Sequence, residues 1–238
     1  MDGQIKDIAH RASVDFLIRH IPFLACLTHD EVANIRNIVI ERQFIKNQII
    51  LHEEETSNFF YFIYSGEVKI IQISLEGKER ILAIHKRGEY FGEMSILDGK
   101  TLPATVVAME DTRIGLISRE NFTRYLLSNE RVLKELIAIL CGRLRDSWLM
   151  LKVMSFADAE QRVRVVLKNM GDHFGIKDQR GVVIALRLTH NDIANLASIS
   201  RETVTRTLNR LESEGEIEIL DGKKVLMKRL FLEKNDIL

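Results

Sequence analysis

The spacing of hydrophobic residues changes twice along this chain of 238 residues. Between residues 43 and 118, apolar and polar side chains alternate, most clearly at 60–64 and 68–73, where aromatic and β-branched residues are frequent. Glycines at positions 66, 77, 88 and 99 recur every eleven residues, each within a turn-like context. Short alternating segments separated by regular turns predict a compact all-β module, which could be a barrel, a sandwich or a roll.

A helical spacing replaces this alternation between residues 119 and 155. One stripe repeats in steps of four and three, which is the a/d pattern of a coiled coil over three heptads. Its members are Leu133, Ile137, Leu140, Leu144, Ser147, Leu151 and Met154. A second apolar set, at 132, 136 and 139, lies on another face and could pack on the β module. We therefore predict a helix that pairs with a second copy of the chain, with a helix buried in one globular domain as the alternative.

The remaining residues, 157–238, have an α-rich pattern that ends in short strands. Residues 158–170 are spaced as an amphipathic helix, and the polar stretch 171–181 is typical of a loop. Farther along, an Asp-Gly-Lys-Lys turn at 221–224 separates two short apolar segments. This arrangement predicts a β-hairpin near the end of the chain.

Two short helices are predicted before this hairpin. Thr189 can cap a helix that begins at His190, with Asp192 completing a capping box, and Ser200 can cap a second helix. The second helix would bury Val204, Leu208 and Leu211 and would expose Arg201, Glu202, Thr205, Arg206 and Asn209. Two short helices joined by a tight turn predict a helix-turn-helix.

The exposed face of the second helix has the residue types that reading a DNA major groove requires. Arginine can bind guanine O6 and N7 with two hydrogen bonds, and glutamate can accept one from cytosine N4. A surface helix with solvated charges is the alternative. We favour DNA binding because the hairpin carries four bases and no acid between Lys223 and Arg229, and so could rest on phosphates as a wing.

Three segments resemble the CRP/FNR family of bacterial transcription regulators. They are Ser-Arg-Glu-Thr-Val-Thr-Arg at 200–206, Tyr-Phe-Ile-Tyr-Ser-Gly-Glu-Val at 61–68 and Phe-Gly-Glu-Met-Ser-Ile-Leu-Asp-Gly at 91–99. The resemblance covers about residues 20–235. It implies an α+β fold with an N-terminal double-stranded, jelly-roll-like β-roll, a long central dimerisation helix and a C-terminal winged helix-turn-helix.

The resemblance also implies domain limits. They are an N-terminal helical segment at 1–27, an effector-binding β-roll at 28–120, the dimerisation helix with its hinge at 121–156 and the DNA-binding domain at 157–238. In this family, an effector bound against the central helix would reposition both recognition helices through the hinge near residues 156–158.

Carried over by position, the resemblance implies a homodimer on a palindromic operator with TGTGA-like half-sites about one helical turn apart. The bases would be read by Arg201, Glu202 and Arg206. Phosphate contacts would come from Thr189, His190, Asn191, Ser200, Thr203 and Lys223. RNA polymerase is a further implied partner.

The effector pocket implied by the resemblance departs from the family pattern. Its residues would be Gly92, Glu93, Met94, Ser95, Leu102, Pro103, Ala104, Ser147 and Trp148. Cyclic-nucleotide-binding members carry an Arg-Ser or Arg-Thr pair, whose arginine neutralises the cyclic phosphate, where this chain has Leu102 and Pro103. A buried phosphate without its cation would cost several kcal/mol. We therefore expect an effector other than cAMP, or a pocket filled by its own side chains, with Glu93 in a structural role as an open alternative.

The sequence offers little for a metal or a redox cofactor. Two cysteines, Cys26 and Cys141, cannot supply the four ligands of an iron–sulfur cluster, and we expect both to be buried. The seven histidines show no zinc-ligand spacing. Haem stays an alternative because a single axial histidine is sufficient, and His85 lies on the predicted roll. A haem-based gas sensor of the same family is therefore an alternative function.

Composition narrows the function classes without selecting one. Lys and Arg total 34, and Asp and Glu total 34, so no overall basic excess marks a nucleic-acid binder. Local excess is enough, with four bases to two acids between Arg187 and Arg210. Acids elsewhere offset it, at positions 212, 214, 216 and 218. Two cysteines and no signal-like or membrane-spanning apolar run predict a cytoplasmic protein with no membrane partner.

Two rival functions remain open. An enzyme is disfavoured because the chain has no P-loop, no Gly-x-Ser-x-Gly and no His-Glu-x-x-His motif. A cyclic-nucleotide-type regulatory module that acts on a protein partner is the other. The predicted helix-turn-helix at 189–211 distinguishes such a module from a DNA-binding regulator, because a module that acts on a protein has no use for a helix-turn-helix.

Overall fold

A computed structural model describes residues 20–234, so residues 1–19 of the predicted N-terminal segment and the last four residues lie outside the described part. The chain divides into two compact units, and the boundary between Leu144 and Arg145 falls within the longest helix. The predicted α+β architecture, with a β-roll, a long helix and a helix-turn-helix, is confirmed. The predicted limits of the four domains stay predictions.

The first unit contains two four-stranded antiparallel sheets. Its strands are β1 (Ile40–Phe44), β2 (Ile49–Leu51), β3 (Phe59–Ser65), β4 (Val68–Ile73), β5 (Glu79–His85), β6 (Tyr90–Phe91), β7 (Thr105–Ala108) and β8 (Thr112–Ser118). One sheet has the order β1-β8-β3-β6 and the other β2-β7-β4-β5. Its helices are α1 (Pro22–Ala25), α2 (His29–Ile38), α3 (Glu93–Asp98), α4 (Arg119–Phe122), a π-helical turn at Thr123–Leu127 and the start of α5 (Glu130–Phe156).

Strand β3 shows why the apolar pattern of this unit is dense. Phe60, Phe62 and Tyr64 pack against the helices, whereas Tyr61 and Ile63 face the interior of the roll with residues of the second sheet. Successive side chains of a strand point to opposite faces. Because both faces of this strand are covered, every position from 60 to 64 is buried.

The predicted turns at eleven-residue intervals are confirmed. All four glycines, at 66, 77, 88 and 99, have positive φ angles between 73° and 86°. Glycine adopts this region without steric cost. Four non-glycine residues within 20–234 share the region, and Glu54 and Ser198 are two of them, with φ of 66° and 54°.

Helix α5 begins later than the helical spacing suggested. The side chain of Asn129 accepts hydrogen bonds from the backbone N–H groups of Arg131 and Val132, at 3.1 and 3.5 Å, and so starts a new helix after the π-helical turn. Its second apolar face packs on the roll as predicted, with Val132 and Leu136 fully buried. None of the helices within residues 20–234 is apolar over a length sufficient to cross a membrane.

The second unit contains one four-stranded antiparallel sheet and four complete helices. Its strands are β9 (Gly175–Asp178), β10 (Gly181–Ile184), β11 (Ile217–Leu220) and β12 (Lys224–Lys228), in the order β11-β12-β10-β9. Its complete helices are α6 (Ala159–Phe174), α7 (His190–Ala197), α8 (Arg201–Ser213) and α9 (Arg229–Lys234), and a 3-10 turn spans Asp221–Lys223.

The predicted loop at 171–181 is wrong. Helix α6 continues to Phe174, and β9 and β10 form a hairpin around a turn at 179–180. Strand β9 is an exposed edge strand, so its side chains are polar or exposed and give no alternating signal. The hairpin predicted at 221–224 is confirmed, with Ile217 paired to Met227 and Leu220 to Lys224.

Candidate DNA-binding face and effector site

The two helices of the helix-turn-helix begin at the predicted capping residues. Thr189 Oγ1 accepts from the backbone N–H of Asp192 at 3.1 Å, and the Asp192 carboxylate accepts from the Thr189 backbone N–H at 2.8 Å. Ser200 Oγ accepts from the Thr203 backbone N–H at 3.2 Å. Between the helices, Ser198 takes the left-handed conformation that ends α7. Each cap satisfies backbone N–H groups that a helix start otherwise leaves unpaired.

Packing of α8 fixes which side chains reach solvent. Val204, Leu208 and Leu211 are buried, at 2% exposure or less. The opposite face is a shallow depression, and it is lined by Arg201, Glu202, Thr205, Arg206 and Asn209. The structure therefore brings the three predicted base-reading residues together on one surface.

The three base-reading candidates differ from the arginine that follows them on the same helix. Within residues 20–234, Arg201, Glu202 and Arg206 are exposed and have no ion-pair partner. Arg210 instead forms ion pairs with Glu160 of α6 and Glu214. The guanidinium groups at 201 and 206 are thus available to an external acceptor, whereas that of Arg210 is engaged.

The predicted phosphate contacts cluster at two helix starts and the wing. Thr189, Asn191 and Ser200 are exposed near the N-termini of α7 and α8, and Lys223 is exposed in the wing turn. Helix N-termini favour anions because of the helix dipole and the free backbone N–H groups. Thr203 is half-buried, and its hydroxyl lies 2.9 Å from that of Ser200.

His190 is tied more closely to the recognition helix than its sequence position indicated. Its Nδ1 lies 2.8 Å from Thr205 Oγ1, which also donates to the carbonyl of Arg201 at 3.0 Å. This contact joins the first residue of α7 to the exposed face of α8. It engages one ring nitrogen, Nδ1, and does not involve Nε2.

Two of the four wing bases have partners inside the protein. Lys228 Nζ lies 3.5 Å from the Glu218 carboxylate, and Arg229 donates to the carbonyl of Gln179 at 3.4 Å. Lys223 and Lys224 have no ion-pair partner within the described residues. Fewer bases of the wing are therefore available to contact phosphates than the count along the sequence suggests.

Glu216, one of the acids that offset the local basic excess, is fully buried. Arg164 holds its carboxylate with two hydrogen bonds of 2.5 and 3.1 Å, and Lys234 adds a third at 2.7 Å. The hydrogen bonds from Arg164 contribute most to lowering the pKa of Glu216 to about 2. This cluster joins α6, the segment after α8 and α9.

The residues of the predicted effector pocket are divided between interior and surface. Glu93, Ser95, Leu102 and Ala104 are buried, Gly92 is half-buried, and Met94 and Pro103 are exposed. Ser147 and Trp148 lie on α5 in the second unit, and both are exposed.

The Gly-Glu pair at 92–93 has a local structural reason. Gly92 has φ of 82°, and a Cβ at this position would lie 2.7 Å from the ring of Tyr61. Both facts require glycine where the chain turns into α3. The turn delivers Glu93 into the interior, where it is 5% exposed.

Arg143 is a functional candidate that the sequence reasoning missed. Its Nη1 donates to Glu93 Oε1 at 2.6 Å, its Nη2 donates to the carbonyl of Tyr90 at 3.1 Å, and its guanidinium lies 4.4 Å from the centre of the Tyr90 ring. A signal was present, because Arg143 continues the roll-facing spacing 132, 136, 139 by four residues. A charge on a buried helix face calls for a buried partner.

Positions 102 and 103 lack the polar groups that the resemblance expects around a cyclic phosphate. Leu102 occupies the place expected for a phosphate-binding arginine and packs with Tyr61, Phe91 and Val106 in the interior of the roll. Its own backbone N–H and carbonyl are bonded to Glu55 and Glu54. Pro103 offers no N–H, and the nearby cation, Arg143, already neutralises Glu93.

The remaining cofactor candidates have contacts that need no metal. His85 Nδ1 lies 3.0 Å from Glu89 Oε2. Cys26 is half-buried, its thiol donates to the carbonyl of Phe23, and burial raises its pKa. Cys141 is exposed, so the prediction that it is buried is wrong. Among residues 20–234, no group of three or more His, Cys, Asp or Glu is placed to hold a metal ion.

Family models match both units. The cyclic nucleotide-binding domain model matches residues 41–129, and the Crp-like helix-turn-helix domain model matches residues 161–230. The first match covers the roll, and the second covers α7, α8 and the wing.

Similar proteins agree with this division. The cyclic AMP receptor protein of Thermus thermophilus is 32% identical over 90% of this chain and 95% of its own length. The solved Thermus thermophilus catabolite activator protein is 31% identical, covers 89% of this chain and 97% of its own, and has a TM-score of 0.52. FixK2 from Bradyrhizobium japonicum, at 23% identity over 84% of this chain and 98% of its own, shares the fold with a TM-score of 0.75.

Proposed function

The chain belongs to the CRP/FNR family of transcription regulators, and on this premise we propose that it is a homodimer that binds a palindromic operator with TGTGA-like half-sites. Each recognition helix α8 would lie in the major groove of one half-site. Two-fold symmetry of the protein then requires two-fold symmetry of the operator.

The observation that carries the proposal is the exposed trio Arg201, Glu202 and Arg206. These side chains are adjacent on a capped helix, unpaired within the described residues and held outward by a buried opposite face. Charged groups without an internal partner are free to form bidentate contacts with base edges. The caps at Thr189 and Ser200 place further N–H groups and hydroxyls where the phosphates would run.

The homodimer is supported by the exposure of the heptad stripe. Leu133, Ile137, Leu144 and Leu151 are 38–65% exposed in the single chain, whereas Leu140 and Met154 are half-buried. Leaving apolar surface in water costs about 25 cal/mol per Å². A second copy that presents the same stripe would cover it by two-fold symmetry.

The name of a relative does not establish which ligand this chain binds. The Thermus relative is named for cyclic AMP, but this chain has Leu102 and Pro103 where the phosphate-binding pair belongs and Trp148 in place of a hydroxyl. We therefore propose that cAMP is not its ligand. A regulatory module acting on a protein partner is less favoured, because the match at 161–230 is to a DNA-binding domain. RNA polymerase would be the protein partner at the promoter.

Selection from random DNA tests the proposal. The full chain is incubated with randomised duplexes, with and without a cell extract, and bound DNA is amplified and sequenced. We expect enrichment of a palindrome whose TGTGA-like half-sites lie about one helical turn apart. No enriched palindrome in either condition would contradict DNA-binding function and favour a module that acts on a protein.

A further inference from the structure

We propose that Glu216 is a positioning residue for DNA binding, which holds the wing at a fixed place beside the recognition helix α8. The wing is the hairpin of β11 and β12 with its turn at 221–223. The inference rests on the proposed DNA-binding function and specifies how the wing takes part in it. Its evidence lies entirely within the second unit.

The backbone of Glu216 joins the recognition helix to the wing. Its N–H donates to the carbonyl of Leu211, in the last turn of α8, at 2.9 Å. Its carbonyl accepts from the N–H of Lys228, the last residue of β12, at 2.9 Å. Gly215 provides the turn immediately before it, with φ of 74°. Glu216 therefore lies at the point where the chain leaves α8 and enters the wing.

The side chain of Glu216 connects two more helices at the same point. Arg164 of α6 donates to both carboxylate oxygens, at 2.5 and 3.1 Å, and Lys234 of α9 donates to one of them at 2.7 Å. Helix α9 directly follows β12, so Lys234 attaches the far end of the wing to the same carboxylate. The guanidinium of Arg164 also lies 5.6 Å from the ring centre of Phe231, which is fully buried. One residue thus connects α6, α8, β12 and α9.

Alternating charges extend this junction back to the recognition helix. Arg164 Nε donates to Glu160 at 2.9 Å, and Glu160 in turn forms an ion pair with Arg210 of α8. The result is a series that begins on α8 and ends on the helix after the wing: Arg210, Glu160, Arg164, Glu216 and Lys234. Each carboxylate of this series lies between two cations.

A carboxylate imposes a geometry at this site that a hydrocarbon side chain would not. Hydrophobic burial is non-directional, and replacing a buried ion pair by apolar residues is often neutral or stabilising. Glu216 is fully buried, so movement of α6 or α9 away from it would leave a buried charge without its cation. The carboxylate therefore fixes the arrangement of these elements as well as stabilising the fold.

The groups that this junction positions are the bases of the wing turn. Lys223 is exposed, Lys224 is half-buried, and neither has an ion-pair partner in the described part of the chain. Glu216 has no exposed surface, so it cannot contact DNA itself. It acts by holding the wing where the two lysines meet phosphates while α8 reads bases.

Two matched variants of the full-length protein test this role on the selected operator. Glu216→Gln removes the buried charge, and Glu233→Gln makes the same change at an exposed position of α9. Fluorescence anisotropy gives the operator affinity as a function of salt concentration, and the slope of that dependence is about 0.9 for each phosphate neutralised. If Lys223 and Lys224 each neutralise one phosphate, the two wings contribute about 3.6 to the slope of the dimer.

We expect the slope of Glu216→Gln to fall by about 2 to 4, toward that of a Lys223→Gln/Lys224→Gln variant, and its affinity to fall about tenfold or more. Glu233→Gln should match wild type. The preference for the operator over one with mutated half-sites should stay within about twofold of wild type, because the base-reading candidates on α8 keep their places. A protein that is merely destabilised would contain fewer active molecules but would bind with the wild-type slope.

Combined variants repeat the test without relying on absolute affinity. Adding Lys223→Gln and Lys224→Gln to wild type should lower affinity about tenfold or more, whereas adding them to Glu216→Gln should cost less than about twofold, because the wing contacts are already lost. If Glu216→Gln fails to fold, Lys234→Gln removes the more exposed of its two cations and should also reduce the cost of the wing changes. A folded variant of either kind that retains the full cost of the wing changes would overturn the inference.

The outcomes separate this inference from the proposed function. Selective operator binding by wild type, with the wing contribution unchanged in Glu216→Gln or absent from wild type, would refute the positioning role and leave the DNA-binding function intact. Failure of the wild-type chain to bind any selected operator, with or without extract, would refute the proposed function itself.

Discussion

Charged side chains have opposite environments in the interior of the roll and on the exposed face of α8. In the roll, the Glu93 carboxylate is buried and neutralised by Arg143 at 2.6 Å. On α8, Arg201, Glu202 and Arg206 are exposed without an ion-pair partner within residues 20–234. A buried charge needs a partner inside the fold, whereas an unpaired exposed charge can bind an external group. We therefore expect DNA recognition to depend on the exposed charges of α8, and Glu93 to contribute to the structure of the roll.

The largest expected effect comes from removing the second copy of the recognition face. Leu144→Asp places a charge in the exposed apolar stripe of α5, where pairing would bury it without a partner. We expect monomers whose operator affinity falls to the non-specific level, a loss of about 10³-fold or more. Analytical ultracentrifugation and anisotropy measure both properties. A dimeric variant with full affinity would refute the role of this stripe.

Arg206→Ala should have the next largest effect, because it removes a base contact from both half-sites. A bidentate arginine–guanine pair contributes about 1–3 kcal/mol of discrimination, so the dimer should lose about 2–6 kcal/mol. Gel-shift competition between the operator and a version with mutated half-sites measures this preference. The matched control is Arg210→Ala, whose guanidinium is paired with Glu160, and it should keep the preference. Equal losses of operator preference in Arg206→Ala and Arg210→Ala would contradict the distinction between an arginine that is available to DNA and one that is paired within the protein.

Glu216 extends the comparison to the second unit, where a buried carboxylate is again held by cations. Its pKa falls from 4.5 to about 2 in the fold, chiefly through the hydrogen bonds from Arg164. The ionised form is therefore favoured by folding, and its contribution, about 3 kcal/mol, is present above pH 4.5 and lost as the pH falls toward 2. Urea unfolding of wild type and Glu216→Gln across this range should show a steeper decline for wild type. Parallel pH profiles would contradict the assignment.

The smallest expected effect is a gain in the free energy of unfolding from Ser198→Gly. Its φ of 54° lies in the left-handed region, which disfavours side chains with a Cβ by about 1–2 kcal/mol. Part of this gain is offset by the greater freedom of glycine in the unfolded chain, so Ser198→Gly should stabilise by about 0.5–1 kcal/mol. Thermal unfolding measures the shift. Ser200→Ala is the control, because loss of the cap should lower stability by about 1 kcal/mol.

Local signals in the sequence were sufficient for the helix-turn-helix. The caps at Thr189 and Ser200 and the buried series Val204, Leu208 and Leu211 depend on neighbours a few residues away. The turns of the roll were predictable for the same reason, because glycine marks positive φ without reference to the rest of the chain. The hairpin of β9 and β10 was missed because an exposed edge strand carries no hydrophobic alternation.

Ion pairs between residues distant in sequence could not be predicted from local signals. Glu93 and Arg143 are fifty residues apart, and Arg164 and Glu216 are fifty-two residues apart. Glu216 in particular entered the sequence analysis only as one of four acids in the charge balance, and the structure shows that it is fully buried. Whether a charged side chain is paired depends on which elements pack together. The pattern of residues along one segment does not specify that packing.

The sequence by itself determined the β module, the long helix, the helix-turn-helix and the wing hairpin, their order, the family resemblance and the residues that face outward on α8. Each of these follows from short-range periodicity, capping and turn chemistry. The tertiary structure alone decided which charges are available, by burying Glu93 with Arg143 and Glu216 with Arg164 while leaving Arg201 and Arg206 exposed. The physical reason is that a charge loses its hydration only where distant segments close over it, and it must find its counter-charge at that place.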